Sequence, residues 1–249
     1  MLSLLCLFYT LLAVASAQTH YLYGPMWGYR RYGSGAGGFI TSLETTLVAG
    51  KPTSPPKALI ALWPGMDTAK GLIQPIIVSS DRNGQLYPGC RAIKADEWCI
   101  FASMIVGNTQ QKSGKAVPWN GLEPLKMTFK WDEALGGYDQ KLFLKGQEVS
   151  SLKYASGKSV SFYVATECQG SHTGIVNNHT YSDNTVVLSQ PNPVWGKTPS
   201  THYMACADRA ETADGGTTWK IPHIKLQQSN APKDYNRGAG TSPGPTFCP

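Results

Sequence analysis

Between Leu125 and Trp131 apolar and polar residues alternate: Leu125, Met127, Phe129 and Trp131 on one side, Lys126, Thr128 and Lys130 on the other. That period of two predicts a half-buried strand with one wetted face. The neighbouring run Lys141-Leu142-Phe143-Leu144-Lys145 does not alternate, and its apolar triplet between charges predicts a short strand covered on both faces. Denser aliphatic and β-branched runs between turn residues predict strands at Ala58–Trp63 and Leu72–Val78. Further strands are predicted at Phe39–Val48, Trp98–Val106, Tyr138–Leu144, Ser159–Ala165, Thr185–Leu188 and Thr218–Leu226. The Tyr- and Gly-rich stretch from Gln18 to Gly38 reads as an arm or loop leading into the first strand. No segment has a convincing amphipathic helical period. The nearest, around Ala95 to Met104, carries β-favouring residues at its centre.

Many strands separated by Gly- and Pro-rich turns predict an all-β sandwich or barrel rather than a βαβ fold. Residues 1–17 form an apolar run ending in Ala15-Ser16-Ala17, the small-x-small pattern of a signal peptide, although Lys and Arg are missing from its start. No later stretch is long and apolar enough to span a bilayer. The expectation is therefore a secreted chain without a membrane anchor, with one β domain over residues 18–227 and a Pro- and Gly-rich irregular tail over 228–249.

Removing the leader takes away Cys6 and leaves Cys90, Cys99, Cys168, Cys206 and Cys248. Secretion favours disulfides, and an odd count leaves one thiol over. Many two-bridge arrangements stay open. Ease of closing a short loop favours Cys90 with Cys99, and Cys168 with Cys206 is the expected second pair, while Phe247-Cys248 is a further candidate for pinning the tail. The spacings contain no C-x-x-C or H-E-x-x-H, so neither a metal nor a cofactor is expected. Asn178-His179-Thr180 is an N-glycosylation acceptor in a polar loop.

The formal charge of +6 is spread along the chain. Its only dense basic cluster is Tyr29-Arg30-Arg31-Tyr32, so a nucleic-acid partner is not expected. An extracellular acidic polymer such as a polyuronate suits the charge, as does mere solubility.

Two polar residues stand in apolar surroundings. Gln74 interrupts the run Gly71–Ser80, next to Pro75, which cannot donate to a sheet ladder and marks an edge or bulge. Glu167 ends the run Ser159–Ala165, and partial burial there raises a carboxyl pKa toward a working pH. An amide such as Gln74 can orient water or stabilise an oxyanion. Trp63 and Trp98 offer flat aromatic faces for peptide or sugar, and His172 sits in the polar turn after Cys168.

The succession LWPGM, GLIQP, a Trp- and Cys-bearing strand and ATECQG resembles secreted fungal proteins of the concanavalin A-like jelly-roll β-sandwich class. The order of a Gln in an L-x-Q strand and a Glu in a later A-x-E strand is similar to the glutamic peptidases. That resemblance implies Glu167 as general base toward water and Gln74 as oxyanion partner, acting as a monomer on a polypeptide substrate. The resemblance spans Ala58 to Gly170, and the acidic balance and tryptophan-rich strand motif of those peptidases are not reproduced. Thr212-Ala213-Asp214-Gly215-Gly216-Thr217-Thr218-Trp219 resembles the Asp-box hairpin, in which Asp214 ties the turn and Trp219 anchors the next strand. A polysaccharide lyase acting on a uronate-containing glycan is the leading alternative. Its Q-x-H pattern occurs only as Gln18-Thr19-His20, outside any predicted strand, and the other histidines include His202 beside Tyr203. A noncatalytic carbohydrate-binding or effector-like sandwich is the third reading.

Overall fold

The computed structural model describes residues 21–29, 38–52, 59–79, 90, 93–94, 96–107, 110–169, 174–197, 199, 201–236 and 247–248. The leader and His172 lie outside the described residues. No helix among the described residues is long and apolar enough to cross a membrane.

The described chain is all β. In chain order the strands are β1 (Tyr21–Tyr29), β2 (Ile40–Val48), β3 (Leu59–Thr68), β4 (Gly71–Ile73), β5 (Ile76–Ser79), β6 (Trp98–Phe101), β7 (Ser103–Val106), β8 (Gln110–Ser113), β9 (Val117–Trp119) and β10 (Leu125–Asp132). They continue as β11 (Gly137–Leu144), β12 (Gln147–Tyr154), β13 (Phe162–Gln169), β14 (Gly174–Val176), β15 (His179–Leu188), β16 (Thr201–Tyr203), β17 (Ala205–Ala207), β18 (Thr218–Leu226) and β19 (Ser229–Ala231). A first, ten-stranded sheet runs β16-β1-β13-β3-β4-β7-β8, with β5, β6 and β9 continuing beside β3. A second, seven-stranded sheet runs β12-β11-β10-β2-β15-β18-β17. All their pairings are antiparallel. One apolar core, with Ile60, Leu62, Val164 and Phe162 from the first sheet and Leu43, Leu47, Met127 and Phe129 from the second, lies between them.

The ten strands of the first sheet occupy seven positions, because three of them are broken by one crease. β5 and β4 keep a single register against β3, Leu62 opposite Ile77 and Met66 opposite Ile73. β6 and β7 likewise share one register against β5 and β4. Between the halves lie Gln74-Pro75 on one strand and Ala102 on the next, where the register sets Pro75 opposite Ala102. Pro75 has no N–H to give the ladder. Gln74 N–H bonds within the sheet to Ser103 O, but two N–H groups of the facing strand are satisfied from the other sheet: Ala102 donates to Ser150 Oγ at 3.0 Å and Ser103 to Gln140 Oε1 at 3.2 Å. Ser150→Ala and Gln140→Leu should each orphan a buried donor and cost about 1–3 kcal/mol. Urea unfolding checks this, and unchanged midpoints in both variants would refute the account of the crease.

Several expectations are corrected. The N-terminal arm is not a loop: Tyr21–Tyr29 is a strand inside the first sheet, between β13 and β16. Its glycines serve close packing, since a Cβ on Gly28 would lie 2.3 Å from Tyr163 Cβ and one on Gly24 would lie 2.5 Å from the Tyr235 ring. The segment 141–145 alternates after all. Leu142 is fully buried, whereas Phe143, opposite Lys126, belongs to the outer side of the second sheet. The final segment is not irregular throughout, because β19 pairs with β14, Tyr235 is buried, and Asn236 pairs with Tyr23.

Of the disulfides, Cys90–Cys99 forms as expected, and Cys206 joins Cys248 rather than Cys168. Cys168 faces the core on β13, while Cys206 lies opposite the exposed Lys225 on β17, so the two sit on different sides of different sheets. The two disulfides fit an oxidising, extracellular compartment.

Candidate active site

Glu167 belongs to the outer side of the first sheet, away from the core. Alternation along β13 sends Val164, Thr166 and Cys168 inward and Tyr163, Ala165 and Glu167 outward, and register aligns Glu167 with Ala61 on β3 and Tyr23 on β1. This outer side carries a second apolar cluster that includes Met26, Ala61, Trp63, Ile76, Val78, Phe101 and Ala165. Cys90 belongs to the cluster and Ile93 packs against it. The Cys90–Cys99 disulfide ties that covering segment to β6.

Within this cluster Glu167 is 7% exposed, and its carboxyl accepts one hydrogen bond on each oxygen. The Trp63 indole Nε1 donates to Oε2 at 3.2 Å, and the Gln169 amide donates to Oε1 at 3.0 Å. Burial pushes the pKa of Glu167 up, against the opposing pull of the hydrogen bonds from Gln169 and Trp63. The Trp63 ring is set edge-on to Tyr163 at 5.5 Å and to Tyr23 at 6.5 Å. Its benzo edge lies over Gly65, where a Cβ would come within 2.8 Å of Cζ3. A glycine there is what lets the indole lie down along the strand and reach Glu167.

Gln74 occupies the same outer side by alternation, between Leu72 and Ile76. It is 2% exposed, its N–H donates to Ser103 O at 2.9 Å, and its Oε1 has no hydrogen-bond partner. Register places it opposite Gly65, four residues along β3 from Ala61 and one strand further from β13 than β3 is. With about 3.3 Å per residue and about 4.8 Å per strand, its Cα is on the order of 16 Å from that of Glu167. Gln169, not Gln74, is the amide in contact with the carboxyl. Sequence reasoning missed Gln169, although the signal was present, since residues two apart on a strand share a face.

The other expected site residues scatter. Trp98 is a core residue between the sheets, its indole donating to Gly50 O at 2.8 Å, which removes it from any substrate surface. Asn178 is exposed in the turn before β15. Of the histidines weighed for a lyase base, His179 is buried and His223 pairs with Asp208 at 2.7 Å on the second sheet. His20 and the side chain of His202 lie outside the described residues. Asp214 ties its turn as the hairpin resemblance implies. Its Oδ1 accepts from Thr217 N at 3.1 Å and Thr218 N at 2.8 Å, which holds its pKa down to about 2. Trp219 is buried behind it and donates to Gly216 O.

No family model matches this chain, and no curated protein matches it. Among solved structures, a scytalido-glutamic peptidase bound to a transition state analog inhibitor is similar over 82% of this chain and 98% of its own, with 11% identity and a TM-score of 0.43. A Bacillus licheniformis β-glucanase is similar over 77% of this chain and 67% of its own, at 8% identity and a TM-score of 0.32. A native glycosidic hydrolase covers 88% of this chain and 78% of its own, at 9% identity and a TM-score of 0.31.

Proposed function

We propose that this chain acts outside the cell on a polymer, and that its chemistry is hydrolysis of peptide bonds with Glu167 moving the proton. The observation that carries the reading is a single carboxyl, buried in an apolar sheet face, gripped by Trp63 and Gln169 and pushed up in pKa. Ionised, Glu167 takes a proton from water as the water oxygen adds to the substrate carbonyl. Protonated, it returns that proton to the leaving nitrogen as the C–N bond breaks. Burial raises the pKa of Glu167, so the protonated form persists to higher pH than for an exposed glutamate. The Gln169 amide supplies the donor positioned on the carboxyl itself, and Gln74, some four residues along the sheet, is too far to take part.

Peptide is favoured over glycoside by the one carboxylate that the described part of β3 adds to this face, because two-carboxylate glycosidases hold their groups about 5–9.5 Å apart. Asp67, a carboxylate on the same side of β3, stands six residues along from Ala61, about 20 Å away along the sheet. Asp67 is also engaged, accepting from Tyr163 Oη at 2.7 Å. The test is cleavage of denatured casein by the wild type and by Glu167→Gln. A second reading, glycan recognition without turnover, is favoured by the carboxyl already having an internal partner on each oxygen. Absence of cleavage by the wild type at any pH where it is folded selects that reading.

A further inference from the structure

The register that sets Gly65 opposite Tyr163 brings Asp67, two residues further along β3, level with Ser161 just before β13 begins. Asp67 is fixed there from two directions. The Ser161 hydroxyl accepts from the Asp67 N–H at 2.9 Å and donates to Oδ2 at 3.3 Å, while Tyr163 Oη donates to Oδ1 at 2.7 Å. Asp67 is exposed, whereas Ser161 and Tyr163 are buried. An anchored carboxylate at the margin of the apolar cluster therefore holds a phenol whose ring lies inside it.

That ring packs at 71° against the Trp63 indole, 5.5 Å between centroids. The benzo end of the indole lies over Gly65, and the other end, Nε1, donates to Glu167 Oε2. The indole thus spans from Tyr163 to Glu167, which share one face of β13 with only the small Ala165 between them. Glycine and alanine beside it leave the tilt of the indole to its aromatic walls, Tyr163 on one side and Tyr23 on the other. The tilt matters because the Nε1 to Oε2 distance of 3.2 Å already stands at the far end of the range of about 2.7–3.2 Å for such bonds. A further drift of a few tenths of an ångström weakens it. Phenylalanine would fill the apolar space as well as tyrosine, and what the hydroxyl adds is a fixed direction for the ring.

We infer that Asp67 and Tyr163 are positioning residues for Glu167, the hydrogen bond between them fixing the ring that keeps the Trp63 indole in reach of the carboxyl. They act through the indole, and their bearing on catalysis rests on the reading of Glu167 as the proton-transfer group.

The experiment follows the Trp63 indole N–H and the Glu167 side-chain carboxyl carbon by NMR from acidic to neutral pH in the whole folded protein. The variants are Asp67→Ala, Tyr163→Phe, the two combined, and Asp67→Asn. Weakening a donor to the ionised carboxyl should move the Glu167 midpoint upward by about 0.5–1 pH unit in Asp67→Ala and in Tyr163→Phe, with a shifted indole signal. The double variant should do no more than either single one, since both remove the same bond. Asp67→Asn keeps an acceptor for Tyr163 Oη and should restore the wild-type midpoint. Tyr163→Phe retains the buried ring, so the test stands even where Asp67→Ala does not fold. Wild-type midpoints and indole signals in the single variants, additive shifts in the double one, or no recovery in Asp67→Asn would each overturn the assignment. The titration needs no substrate: casein left uncleaved by the wild type removes the peptidase reading, whereas the spectra decide the positioning.

Discussion

Replacing Glu167 by Gln should reduce cleavage of denatured casein about 10²–10⁴-fold, the usual contribution of a positioned acid–base group. The exchange keeps size, and Trp63 Nε1 retains an acceptor in the side-chain carbonyl, while the new NH2 faces Gln169, whose amide has to turn its oxygen to accept, and proton transfer is lost. The same variant should be more stable than the wild type at neutral pH. A carboxyl whose pKa is raised on folding contributes stability at pH values below its unfolded pKa, and that contribution is lost as pH rises through the folded value. Gln169→Ala should behave differently from Glu167→Gln. Removing a donor to the ionised form raises the Glu167 pKa further, moving the pH profile of any cleavage upward rather than abolishing it. A Gln169→Ala protein with an unshifted profile would deny Gln169 a positioning role.

His179 sets the opposite limit. Its ring is enclosed in the core of the second sheet, with Nδ1 near Asn177 O at 3.0 Å and Nε2 without a partner, and burial lowers its pKa to about 4. The unfolded chain binds a proton there at about 6.5. Stability is therefore fully present above about 6.5 and falls as pH drops to about 4, by about 3 kcal/mol in all. Urea unfolding should show this slope in the wild type and lose most of it in His179→Gln, while Glu167→Gln leaves it in place. Equal acid slopes in wild type and His179→Gln would refute the burial argument.

Strands with their own period were legible in the sequence. β18 matches its predicted bounds because the Asp214 turn announces it, and the alternation of Leu125–Trp131 gives the core side of β10. β1 was hidden because Gly24, Pro25 and Gly28 read as loop residues, when the glycines answer to ring and backbone contacts made by Tyr235 and Tyr163 more than a hundred positions away. Pro75 announced a break in its strand, but not that the break crosses to Ala102, since register is set by pairing rather than by local composition. The same limit applies to the site. Glu167 stood out as a carboxyl ending an apolar run, yet whether Gln74 would touch it depended on which rows β3 and β13 align, whereas Gln169 shares its face two residues along the same strand. Trp98 could not be separated from Trp63 by sequence, as both sit in buried runs and differ only in the face they take.

The most direct test of Glu167 as the proton-transfer group is to follow its side-chain carboxyl carbon by NMR through acidic to neutral pH, in parallel with amine release from denatured casein. The account predicts that Glu167 titrates above the usual glutamate range and that the activity profile turns at the same pH. Titration at an ordinary glutamate value, or no amine release across the whole folded range, would contradict it.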